Sequence, residues 1–182
     1  MDPRPAGQER RASPVQELQL VCFRMGGEEF ALSIMRIREI VRPQRIARVP
    51  RAPAFVEGVI NLRGTILPVV DLRRRLGIPH DPDERRARFL VVGLEQSLVV
   101  FVVDEVKEVI RAPRDAVLPA PALVRGVDAS YLLGVLPVGE RLVMLLHPER
   151  VLTAAETADL RAMQAELAAG RGEPGEAAAA GE

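Results

Sequence analysis

The sequence predicts a mainly β protein made of two similar halves, each a small barrel or sandwich, in preference to a parallel α/β sheet. Three observations lead there. Short runs rich in Val, Leu and Ile recur between turn residues. The interior must be aliphatic, because hydrophobic residues make up 48% of the chain and aromatics only 3%. Two stretches also repeat in the same order without gaps. Phe30 to Arg42 lies over Val99 to Arg111 at an offset of 69, which brings Ile37 onto Val106 and Glu39 onto Glu108. Gly58 to Leu76 lies over Gly134 to Leu152 at an offset of 76, which brings Gly58-Val59 onto Gly134-Val135. The offsets differ by seven, an insertion between Arg111 and Gly134.

Residues 1–16 are rich in Pro, Arg, Gly and Gln, show no apolar period, and read as a disordered arm. Leu18 to Phe23 is a strand that Gly26-Gly27 turns into Phe30 to Ile34. Ile34, Ile37, Ile40 and Val41 recur at helical spacing and predict a short helix. Pro53 opens a second short helix over Ala54 to Val59. Arg63-Gly64 separates Val59 to Leu62 from Ile66 to Val70 as a hairpin. Asp71 caps a last helical turn that ends at Gly77. The stretch 78–88, with its Pro, Asp and Arg, is a linker. After it, Phe89 to Leu94 pairs with Leu98 to Val103, and Tyr131 to Val138 with Leu142 to Leu146. Thr153 to Glu156 has capping-box form, and its helix runs to about Ala169. The expected organisation is therefore an arm (1–16), a repeat domain (17–152, in halves of about 17–77 and 88–152), a helix (153–169) and a disordered tail (170–182).

The 182 residues carry 25 basic and 25 acidic side chains, so no net field favours nucleic acid or an acidic membrane. A single cysteine, Cys22, excludes an intramolecular disulfide, and it reads as a small buried hydrophobe. His80 reads as a loop residue and His147 as a structural or capping one. With no ligand spacing around either, no metal or other cofactor is expected. No nucleophile elbow, phosphate loop or dinucleotide fingerprint occurs, and nothing assembles a nucleophile, a base and an oxyanion hole, so no enzyme is expected. The arginine runs Arg73-Arg74-Arg75 and Arg85-Arg86 with Arg88 lack stacking aromatics and read as solvated faces, not as a nucleic-acid grip. No apolar run reaches the ~20 residues of a membrane span, and no signal-peptide core precedes the domain. A soluble cytoplasmic binding module is the expectation.

The stretch Gly58-Val59-Ile60-Asn61-Leu62-Arg63-Gly64-Thr65-Ile66-Leu67-Pro68-Val69-Val70-Asp71-Leu72 resembles the signature of the CheW family of chemotaxis coupling proteins. The resemblance extends upstream through Glu28-Glu29-Phe30, Ile37-Arg38-Glu39-Ile40 and Pro53-Ala54-Phe55. Downstream it takes in Val102-Val103-Asp104, Leu118-Pro119-Ala120-Pro121 and Tyr131-Leu132. It implies two SH3-like five-stranded β-barrels around a shared apolar core, with short helices and a C-terminal helix. It also implies a non-catalytic adaptor that couples the cytoplasmic tips of methyl-accepting chemoreceptors to the regulatory domain of a CheA-type histidine kinase. Such a protein would reach membrane arrays only through its partners. The partner-binding residues carried over by the match are Ile37, Glu39, Gly58, Asn61, Leu62 and Arg63. Each also has a plainer reading: core packing for Ile37, a position closed to any side chain for Gly58, and a hairpin-ordering ion pair for Glu39 and Arg63. The chain departs from the family at Val100, where a small residue is usual, and at His147, where Asp or Asn is usual. Its C-terminal helix and acidic tail exceed a minimal member, which keeps open a scaffold for a non-swimming chemosensory pathway or for another kinase or regulator.

Overall fold

The computed structural model describes residues 15–80 and 83–170; the arm and tail expected from the sequence lie largely outside them. The first strands are β1 (Glu17–Met25), β2 (Glu28–Ser33), β3 (Ile37–Val41), β4 (Gly58–Leu62) and β5 (Thr65–Asp71), followed by helix α1 (Leu72–Leu76). Then come β6 (Arg88–Gly93), β7 (Leu98–Val103), β8 (Glu105–Pro113), β9 (Leu123–Val124) and β10 (Val127–Asp128). The chain continues through β11 (Leu132–Val138), β12 (Arg141–Leu146), α2 (Pro148–Val151) and α3 (Ala154–Ala169). The strands build two five-stranded, SH3-like barrels in the orders β11-β12-β2-β1-β8 and β3-β6-β7-β5-β4, with β9 and β10 as a separate ribbon. Each sheet takes strands from both sides of the 78–88 stretch, so a repeat in the sequence is not a barrel in space.

The register carries the duplication residue by residue. Across β1 and β8, Cys22 faces Glu108 and Phe23 faces Val106, with a bulge between them. Across β6 and β3, Val91 faces Glu39 and Val92 faces Ile37, with the bulge at the equivalent place. In the hairpins, Gly58 faces Val69 and Gly134 faces Leu145, which is the second offset. These are the pairings that the two sequence alignments require.

Three apolar clusters fill the molecule. Leu20, Cys22, Ala31, Leu136 and Leu145 line one barrel, and Ile60, Val69, Phe89, Val91 and Val100 line the other. Phe23, Phe30, Leu90, Val92, Phe101 and Met144 face the shared core between them. A central strand such as β6 is thus buried on both faces, which explains its unbroken apolar sequence. Helix α3 seals the shared core with Leu160 and Met163. It is held by the predicted capping box at Thr153 and by Arg75, which donates to both Glu156 oxygens at 2.8 and 2.6 Å.

Two predicted helices are corrected. Over 34–41 there is only a 3-10 turn, Ile34–Arg36, before strand β3. The bulge after Ile37 places Ile37 and Ile40 beside Val92 and Leu90, on one face of the sheet, so a strand acquires the three-residue spacing of a helix. Over 54–59 a single turn forms, in which Val56 N–H donates to Pro53 O at 2.9 Å. It stops because Glu57 N–H is claimed by Val69 O and β4 begins at Gly58.

Candidate interaction site

The matched residues gather around one corner of the second barrel. Leu62 pairs with Thr65 across a two-residue turn whose central residues, Arg63 (φ 49°) and Gly64 (φ 88°), both have positive φ. That is the type I′ geometry favoured by the right-handed twist of paired strands. Asn61 Oδ1 accepts the Gly64 N–H at 2.9 Å and fixes the turn from the side. Arg63 then donates to the Glu39 carboxylate. Glu39 lies on β3 and Arg63 follows β4, the two outer strands of the sheet, so the pair spans the edges that the barrel brings together. Their side chains are 38% and 65% exposed, which leaves the attraction screened and worth about 0–1 kcal/mol.

The other two matched residues stand behind this corner. Ile37 is half-buried against the shared core. Gly58 is buried with φ +149°, and a Cβ there would lie 2.4 Å from Ala47 O. That close approach lets Ala47 and Val59 exchange two backbone hydrogen bonds at 2.8 Å. Gly134 meets the same demand in the other barrel, where a Cβ would lie 2.5 Å from Leu118 O. The plainer readings of Ile37 and Gly58 therefore have direct geometric support, while Glu39, Asn61, Leu62 and Arg63 offer groups to solvent.

Sequence reasoning missed the polar lock that makes this body rigid. Arg73, expected on a solvated face, is instead buried, and it bridges two buried carboxylates. Its Nε and Nη2 donate to Asp71 at 2.9 and 2.8 Å, and its Nη1 donates to Asp104 Oδ1 at 2.8 Å. Asp104 Oδ2 accepts the Gly26 N–H at 2.7 Å, which ties in the β1–β2 turn of the other barrel. Burial alone would raise the Asp71 carboxyl, but the hydrogen bonds and charge of Arg73 outweigh it and hold the group below the usual carboxylate range. The only hint in the sequence was Asp71 as an N-cap; nothing local links it to Asp104, 33 residues on. Of the remaining arginines of the two runs, Arg74 pairs with Glu57, Arg75 with Glu156, Arg85 with Asp83 and Arg86 with Glu105, while Arg88 donates to the backbone carbonyls of Arg86 and Ala87.

His80 Nε2 lies 3.7 Å from Asp71 Oδ2. His147 occupies the N-cap position of α2 without a side-chain capping bond, and its Nδ1 lies 3.2 Å from Glu149 Oε2. Among the described residues no group of three or more His, Cys, Asp or Glu could hold a metal ion, and no described helix is long and apolar enough to cross a membrane.

Comparison with known proteins places the chain in a family context. The CheW-like domain pattern matches residues 19–156. A probable chemotaxis protein CheW from Rhizobium etli is 32% identical over 140 residues, covering 76% of this chain and 90% of the relative. The chemotaxis protein CheW of Treponema pallidum is 30% identical over 145 residues, covering 78% and 85%. Among solved structures, the scaffolding protein TtCheW from Thermoanaerobacter tengcongensis superposes with a TM-score of 0.71 at 26% identity, covering 83% of this chain and 96% of that one.

Proposed function

The chain belongs to the CheW-like domain family, and on that premise we propose that it is a non-catalytic chemotaxis adaptor. It couples the cytoplasmic tips of chemoreceptors to the regulatory domain of a CheA-type kinase, and it works in the cytoplasm beside the receptor arrays. The observation that carries this reading is the exposed Glu39–Arg63 corner, held on a frame with a buried ionic lock. A rigid body that presents charges next to apolar turn residues is suited to fixing partner geometry rather than to chemistry. Glu39, Asn61, Leu62 and Arg63 form the contact, and Ile37 and Gly58 support it from behind.

The test is capture of a purified CheA regulatory domain and, separately, of a receptor-tip fragment by the full chain and by Arg63→Glu. Loss of capture by a variant with an unchanged melting temperature supports the site. Full capture by that variant removes Arg63 from it. Failure of the unmodified chain to capture either partner leaves the adaptor serving another kinase or regulator.

A further inference from the structure

We propose that the segment 42–51 is a basic strap that docks an acidic helix of a partner protein, independently of the Glu39–Arg63 corner. Between Glu39 and Glu57 the chain carries Arg42, Arg45, Arg48 and Arg51 and no acidic residue. In a protein of zero formal net charge, that is a local concentration of one sign. Burial along the strap repeats every third residue: Ile46, Val49 and Ala52 are half-buried against the core, while the four arginines are exposed. Ala47 is pinned to β4 through Val59, so the strap is anchored by backbone as well as by side chains. The arginines thus form a row on the outer edge of a fixed rail.

What distinguishes this row is that it is unspent. None of Arg38, Arg42, Arg45 or Arg48 makes a hydrogen bond or ion pair with the described residues, whereas most other arginines do. The repeat supplies the control. The counterparts of Arg38 and Arg42 on β8 are Lys107, 4.0 Å from Glu105, and Arg111, 3.8 Å from Glu17. The same strand position is neutralised in one barrel and left open in the other. Ile40, 40% exposed, stands between Arg38 and Arg42 and adds an apolar contact to the row.

The spacing selects the partner. The burial period of three over 42–49 is that of a polyproline-like segment, on which arginines three residues apart recur about every 9 Å. An α-helix with a carboxylate at every seventh position presents them about every 10 Å. The match accommodates forked arginine–carboxylate pairs along a line. A membrane would call for a broad basic face with inserted aromatics, and single-stranded nucleic acid for stacking rings; the strap has neither. Helix α3 lines a groove with Arg51 through Asp159 and Glu166, so the open part of the row is Arg42 to Arg48.

The experiment uses the full chain and a labelled helical peptide with glutamate at every seventh position and neutral residues elsewhere. Fluorescence anisotropy is read at about 50 and about 300 mM NaCl. Arg42→Gln, Arg45→Gln and Arg48→Gln together should weaken binding about tenfold or more, as should the higher salt. Moving the glutamates to every fifth position, which spreads them around the helix, should weaken binding to the unmodified chain about as much. A loss below about twofold in the triple variant overturns the proposal, as does equal binding of the two peptides. Strap-dependent binding to phosphatidylglycerol vesicles without peptide binding also overturns it, in favour of a membrane surface.

Discussion

Replacing Arg73 by methionine would expose how much the buried lock contributes. Met keeps most of the packing volume but removes five donors, and it strands Asp71 and Asp104, whose side chains are 8% and 4% exposed. Breaking a buried ionic network from one side costs about 3–5 kcal/mol, because the partners remain desolvated and unpaired. For a domain of this size that is a loss of roughly 6–20 °C in melting temperature. The pH dependence gives a sharper readout. In the unmodified protein the Asp71 carboxyl is depressed, so its stabilisation is present above the ordinary carboxylate value and is lost as pH falls through the folded one. Without the Arg73 guanidinium, burial is opposed only by the backbone N–H of residue 73 and by His80, so the folded value rises and protonation costs the variant less than it costs the unmodified protein. The stability gap between the two proteins should therefore close as pH falls from about 7 to about 4. Adding Asp71→Asn and Asp104→Asn should restore part of the loss at neutral pH, since Asn still caps α1. Differential scanning calorimetry across that range would check this. A drop under about 2 °C, or a gap that stays constant with pH, would refute the argument that Arg73 is a buried counter-ion.

The corner behaves oppositely. Arg63→Glu, or the exchange of Glu39 and Arg63, should change stability by no more than about 1 kcal/mol, and a large fall in thermal midpoint would recast the pair as structural. Gly58→Ala and Gly134→Ala should each cost about 2–5 kcal/mol, through steric collision and loosened backbone bonds at both positions, with positive φ added at Gly58. Equal chemical-denaturation curves for either variant and the unmodified chain would contradict the close approach of Ala47 or Leu118. Cys22 is 1% exposed, and its thiol is pushed up to about 11, by burial first and then by Glu108 and Glu29. It should resist a disulfide-exchange reagent at pH near 8 until the protein is unfolded; rapid labelling of the native chain would show that the first barrel opens.

The strands were legible because burial on both faces writes unbroken Val and Leu runs, and the repeat was legible because both copies answer to one backbone. The bulge after Ile37 was not, since an added residue leaves no composition signature and converts a period of two into an apparent three. The strand exchange between barrels was equally hidden: β5 pairs in parallel with β7, and β12 with β2, joining segments that no local pattern connects. At the site, the turn chemistry of Asn61, Arg63 and Gly64 could be read directly, but the contact of Arg63 with Glu39 came only from the family resemblance. The strap escaped notice for a different reason. In an arginine-rich chain four more arginines look ordinary, and only the structure shows which of them already have counter-ions.

The two copies have kept their backbone demands and redistributed their charges. The bulge recurs at the same register, and Gly58 and Gly134 admit the same close approach. Yet where the second barrel sets Asp71 and Arg73, the equivalent positions hold His147 and Glu149, and Glu149 pairs at 2.5 Å with Arg36. The joint is ionic on both sides with the signs reversed: an acid before β8 meets a base on α1, and a base before β3 meets an acid on α2. Surface cations have diverged as well: Lys107 and Arg111 on β8 have acidic partners, whereas Arg38 on β3 has none among the described residues. A frame with identical faces would offer one partner the same site twice. A frame of repeated backbone and divergent charge presents two unlike faces in a fixed relation, which is what an adaptor between unlike partners requires.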